Sequence, residues 1–238
     1  MEIYISINGV LRNFVQKFEY HYNDYFLNSD IDDSQDDIFE YKINYPIEND
    51  NILNSFTFQS REEYENFTFI EFPLEIFGHA SPSYPNVIID LNKLIYTYSG
   101  DTFTVVGLNE LGKAKSSSLS FLAKNRFLGN NIKFIKSANI NEEWKKCDIW
   151  ITDDLEIINK CPKNKKVIKF NTDYNKHFNS DIEINNLTKF DELCLISLEK
   201  PTTSISMKSL GDAVLNIYRK ILMQIKTLQQ KTKTGKQY

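Results

Sequence analysis

The stretch Ile3-Tyr4-Ile5-Ser6-Ile7-Asn8-Gly9-Val10-Leu11-Arg12-Asn13 decides how this chain is read. A short apolar run passes at once into a polar-x-polar-Gly turn, which is how many α/β proteins place chemistry at the carboxyl end of the first strand of a parallel sheet. Gly9 lets the backbone bend tightly there. Beyond the turn, Leu11, Phe14, Val15, Phe18 and Tyr22 recur at three- and four-residue steps, which predicts an amphipathic helix over 13–26.

Working outward, residues 28–37 read as a solvated acidic loop with no apolar period; its aspartates lack the EF-hand spacing and the terminal Glu. Residues 38–80 are rich in Phe and Tyr, with helices expected near 48–56 and 61–77, the second opened by Ser60 with Glu63 three residues later as a capping box. Ser81-Pro82-Ser83-Tyr84-Pro85 reads as a connector. From Asn86 onward, helical and strand-like segments alternate as in a parallel α/β sheet. Helices are expected over 87–98, over 115–126 with the serines at 116–118 as caps, and over 142–146. Strands are expected over 102–106, 132–135, 148–152 and 167–170. With the first strand these make five, joined by helical crossovers, and the fold class is α/β with a Rossmann-like sheet.

The strand and turn at the N-terminus resemble the first motif of the haloacid dehalogenase-like (HAD) phosphohydrolases, Asp-x-Asp-Gly-(Thr/Val)-Leu-x-Asp. In that family the first Asp is the nucleophile that forms an aspartyl-phosphate and ligates Mg²⁺, and the second is the general acid and base. Here the register is kept, with Ser6 and Asn8 in the two places. A serine hydroxyl with no adjacent base is a poor nucleophile, and an asparagine amide has no proton to shuttle near neutral pH. Mg²⁺ also loses a hard anionic ligand. The family's second motif, a Ser or Thr closing the next core strand, falls on Gly107. Its third, a Lys that neutralises the phosphate, falls on Lys113 or Lys115; its fourth, a pair of acids after a strand, on Asp153 and Asp154. Asp90 is an alternative anchor, but no Gly follows it and it lies on a helical period.

The resemblance covers residues 1–175 less the aromatic module, whose position corresponds to the family's cap. It implies a HAD-type core over 1–25 and 81–180, a cap-like insertion over 26–80 and a C-terminal extension over 181–238. It further implies a retired active site in a structural or protein-interaction component. Two alternatives stay open: a Mg²⁺-dependent phosphatase or nucleotidase that has moved its nucleophile, and a module that binds a phosphate or nucleotide through Lys115 and the backbone N–H groups after Asn8, without turnover. Residues 105–174 resemble HAD-like proteins encoded by tailed bacteriophages, which implies a phage origin and a place in the virion. The excess of Lys over Arg, 24 to 4, and the 25 Asn fit an AT-rich coding sequence.

Composition narrows the class further. At 238 residues, 41% hydrophobic and 13% aromatic, the chain can bury a sizeable core. No run of about eighteen apolar residues is present, and Glu2 stands where a secretory signal carries positive charge. A cytoplasmic protein, in a phage host or in the virion, is therefore expected, with no membrane partner and no cofactor. Cys147, Cys161 and Cys194 have no metal-site spacing and are odd in number, as expected of small buried hydrophobes. The net charge of −4 conceals two poles: thirteen acids against Lys42 and Arg61 over 28–75, and seven bases against Asp212 over 205–238. Within the basic pole, Leu210, Val214, Ile217, Ile221, Ile225 and Leu228 form an apolar stripe at helical steps. A long helix there packs on the protein's own core or on a partner or second copy; no Arg cluster or aromatic belt points to nucleic acid or lipid.

Overall fold

The computed structural model of the protein describes residues 1–28, 39–48 and 51–190. The first strand, β1 (Glu2–Ser6), is apolar on both faces, with Ile3, Tyr4 and Ile5 all buried. A strand of that kind belongs in the middle of a covered parallel sheet. It lies there, between β2 (Thr102–Leu108) and β4 (Ile149–Thr152), with β3 (Ile132–Ile135) outside β2 and β5 (Lys166–Phe170) and β6 (Glu183–Ile184) outside β4. Every pairing is parallel, giving among the described residues a six-stranded Rossmann-like sheet of order β3-β2-β1-β4-β5-β6. The five expected strands are present. The sixth is two residues long, too short for any period-two pattern, and it lies past residue 180, where the core was expected to end.

Alternate residues along a strand face opposite sides of the sheet. Tyr4, Val106 and Trp150 pack on one side against α6 (Ile140–Trp144) and α7 (Leu155–Asn159), where Trp144 meets Trp150 with ring centroids 5.2 Å apart. On the other side Phe103 meets Phe190, which also touches Tyr98 at the end of α4 (Val87–Thr97). Helices therefore cover both faces.

The helix after the first turn is α1 (Phe14–Tyr22), and it runs on as one wide π-helical stretch, Asn23–Leu27. Its buried side carries Phe14, Val15, Phe18 and Tyr22, the expected stripe. The described part of the insertion adds no strand to the sheet. Its α2 (Ile52–Ser55), α3 (Arg61–Asn66) and two π-helical turns, Phe67–Glu71 and Leu74–Gly78, share one aromatic core with α1 and with Ala114 of α5 (Lys113–Lys124). Ser60 does cap α3, accepting from the Glu63 amide at 3.1 Å. The continuous helix expected over 61–77 is broken at Phe72, because the proline that follows lacks an N–H and pushes its neighbour out of helical conformation. Nor do the three serines cap α5. Gly112 begins that helix, while Ser116 and Ser117 lie within its body and donate back to the Lys113 carbonyl at 2.8 and 3.0 Å.

The expected C-terminal helix, with Leu210, Val214, Ile217, Ile221, Ile225 and Leu228, lies outside the described residues. Among the described residues no helix is long and apolar enough to cross a membrane.

Candidate functional site

In a doubly wound sheet the connections that leave the strands on either side of the reversal run to opposite faces, and a crevice forms outside the carboxyl ends of those strands. Here that point lies between β1 and β4, and a cavity of about 540 Å³ opens there, lined by Ser6, Asn8, Leu108, Asn109, Asp153 and Asp154 among others. Four of the six positions singled out in the sequence, Ser6, Asn8, Asp153 and Asp154, thus meet in one place.

Parallel register sets Ile5 beside Ile151, so Ser6 and Thr152 stand level at the two strand ends. Ser6 Oγ donates to Thr152 Oγ1 at 2.8 Å and accepts from the indole N–H of Trp150 at 3.2 Å. Neither partner is a base. The backbone then turns through Gly9 at φ +70°, where a Cβ would overlap the carboxylate of Asp153. Gly9 thus serves both the left-handed turn and the close approach of that acid.

Asn8 is held from behind. Arg12 Nε donates to Asn8 Oδ1 at 2.8 Å, its Nη1 to the Phe77 carbonyl and Ser118 Oγ at 2.8 and 2.7 Å, and its Nη2 to Glu110 Oε1 at 2.7 Å. Ser118 Oγ closes the network by donating to the other oxygen of Glu110. Arg12 is 0% exposed and Glu110 2%, and the guanidinium stacks over Phe77 and Phe121. Burial pushes the Arg12 pKa down and the Glu110 pKa up, and each charge opposes the shift of the other. Guanidinium stays protonated under all ordinary conditions, and its charge favours the ionised form of Glu110 against the cost of burial.

The two acids after β4 do different work. Asp154 caps α7, its Oδ1 accepting from the amides of Glu156 and Ile157 at 2.7 and 3.0 Å. Asp153 is buried against Gly9 and accepts a hydrogen bond from the Tyr174 hydroxyl. Burial raises its pKa to about 7; the Tyr174 bond pulls the other way, and the charge of Asp154 adds to the rise.

The remaining expected positions lie elsewhere. Lys115 is exposed on α5, with Nζ 6.0 Å from the centroid of the Phe134 ring, and does not line the cavity; Lys113 is exposed as well. A side chain at Gly107 would meet Phe134 and Glu110 instead of entering the cavity, and Asn109 occupies the strand end. Asp90 forms an ion pair with Lys93 at 3.3 Å on the face of α4. The residues also do not fit Mg²⁺. The first carboxylate position is a serine, Asp154 is spent on a helix terminus, and Asp153 is packed on Gly9 and Tyr174. Among the described residues, no three His, Cys, Asp or Glu side chains group as a metal site.

Thr152, Trp150, Tyr174, Arg12 and Glu110 were not singled out from the sequence. An arginine in a polar turn reads as surface, and Tyr174 stands twenty-one residues from the acid it contacts. No protein-family model matches the chain, and no curated protein matches it.

Proposed function

We propose that this chain is a catalytically silent relative of the HAD phosphohydrolases, serving as a structural or protein-interaction component. One observation carries the reading. Where the nucleophilic carboxylate of that family would stand, Ser6 is tied between Thr152 and Trp150, with no base among its partners. The strand order, with chemistry-bearing positions gathered at the reversal point, supports the relationship. A phosphate-holding role loses the support of Lys115, which does not line the cavity. A component of a virion is the form of that role implied by the resemblance read in residues 105–174.

Purified protein is expected to hydrolyse neither p-nitrophenyl phosphate nor nucleoside monophosphates in the presence of Mg²⁺. Turnover above that of a matched Asp153→Ala variant overturns the proposal. The partner contact is assigned to the apolar stripe from Leu210 to Leu228, whose six aliphatic side chains offer roughly 9 kcal/mol on burial before entropy costs. Truncation after Pro201 is expected to leave a folded core that no longer assembles, as read by light scattering. Unchanged assembly of the truncated chain removes that assignment.

A further inference from the structure

The cavity at the carboxyl ends of β1 and β4 is lined by five asparagines, Asn8, Asn51, Asn54, Asn109 and Asn159. An amide carries a donor and an acceptor side by side, and so does a hydroxyl, so an amide-rich wall matches a ligand that presents several hydroxyls. Orientation is settled for the innermost of them. Arg12 Nε occupies Asn8 Oδ1, which leaves the Asn8 NH₂ as the group turned to the cavity that this residue lines. An ionised aspartate in its place would offer acceptors alone. Asn109 is also held, its Oδ1 accepting from the Ser137 amide at 2.9 Å and its Nδ2 donating to Ser137 Oγ at 2.6 Å.

The apolar part of the wall comes from Phe14, Tyr64, Phe69 and Phe77, which offer ring surface to the C–H face of a ligand. Charge argues against a phosphate. Among the described lining residues the cation is Lys160, and it is paired to Glu156 at 2.6 Å. Asp153 and Asp154 stand on the same wall, so a dianion would be desolvated beside carboxylates with no unpaired cation to meet it. At about 540 Å³ the space lies within the usual range for small-molecule sites, roughly 300–1,000 Å³.

We propose that this cavity binds an uncharged polyhydroxylated ring, with the Asn8 amide as its fixed hydrogen-bond donor. That chemistry comes from a free sugar or from the ribose of a nucleoside. Unlike the silent-enzyme reading, the assignment uses no relation to the phosphohydrolases, and the two stand or fall separately.

Isothermal titration calorimetry of the full chain tests it with three sets of probes: neutral monosaccharides, nucleosides, and the phosphate monoesters of both together with inorganic phosphate. Binding is expected from one of the neutral sets, and which set binds identifies the source. The matching monoester should bind at least about tenfold more weakly, a difference of about 1.4 kcal/mol. Asn8→Asp should weaken the neutral ligand about tenfold, and Asn159→Ala on the exposed rim about threefold, in line with one hydrogen bond each. The rim variant keeps the test valid if Asn8→Asp does not fold. Absence of binding by every neutral probe overturns the assignment, as does a phosphate or monoester that binds as tightly as its neutral parent. So does wild-type affinity in both variants.

Discussion

Replacing Arg12 by methionine is expected to destabilise the protein by about 3–5 kcal/mol, because one partner of a buried ion pair is removed and the other charge is left in the interior. Glu110 would keep a carboxyl group at 2% exposure with the Ser118 hydroxyl as its donor, and the Phe77 carbonyl and Asn8 Oδ1 would each lose the guanidinium N–H they accept from. Adding Glu110→Met should return most of the loss, since apolar replacement of both members of a buried pair is commonly close to neutral. Trp144 and Trp150, both buried, are the chain's two tryptophans and report unfolding in urea by fluorescence. A loss below about 1 kcal/mol for Arg12→Met, the range of an exposed pair, would show that the network contributes little. A double variant no better than the single one would show that the cost is lost packing against Phe77 and Phe121 instead of an orphaned charge.

The second large effect belongs to Asp153. Burial holds its carboxyl near 7, whereas the ordinary value is 3.8. In the unfolded chain the proton leaves near the ordinary value, and in the folded protein it stays until near neutrality. Through that interval the folded state binds more protons, so stability falls as pH rises. The contribution is fully present below the unfolded value and is lost once pH has passed the folded one. At 1.36 kcal/mol per tenfold change in proton affinity, the whole span amounts to about 4 kcal/mol. Unfolding free energies of wild type and Asp153→Asn, compared from about pH 4 to about pH 8, isolate the group from the titration of Glu110 and the surface acids. Wild type should lose stability relative to the variant as pH rises. A constant difference would mean that Asp153 titrates as an ordinary carboxylate and that its burial is relieved in solution.

The central part of this architecture was legible because it rests on patterns of short range. Ile3 to Gly9 contain both the period of a buried strand and the bend that ends it, and the four later strands are each bounded by turn residues. Ser6, Asn8, Asp153 and Asp154 could be named because each stands at the end of such a strand or within two residues of it. What the sequence hid depends on residues far apart in the chain. Arg12 is buried only because Glu110, Phe77 and Ser118 converge on it from three segments. Lys115 is adjacent to a plausible helix start, and only the direction of α5 shows that it faces away from the crevice. Two local signals competed and the weaker-looking one won. Three serines suggest a cap, yet Gly112 at φ +49° makes the turn and the serines fall inside the helix. The Ser60 and Glu63 capping signal suggests one helix running to residue 77, yet Pro73 divides it.

The sheet ends on one side at β3, four residues long, and on the other at β6, with two. The border of a sheet is a row of amide and carbonyl groups that another chain can extend, and proteins guard against this partly by keeping border strands short. Here, as the described residues build them, the outer strands have little backbone to offer. Joining copies of this chain by adding strand to strand therefore finds little template at these two margins.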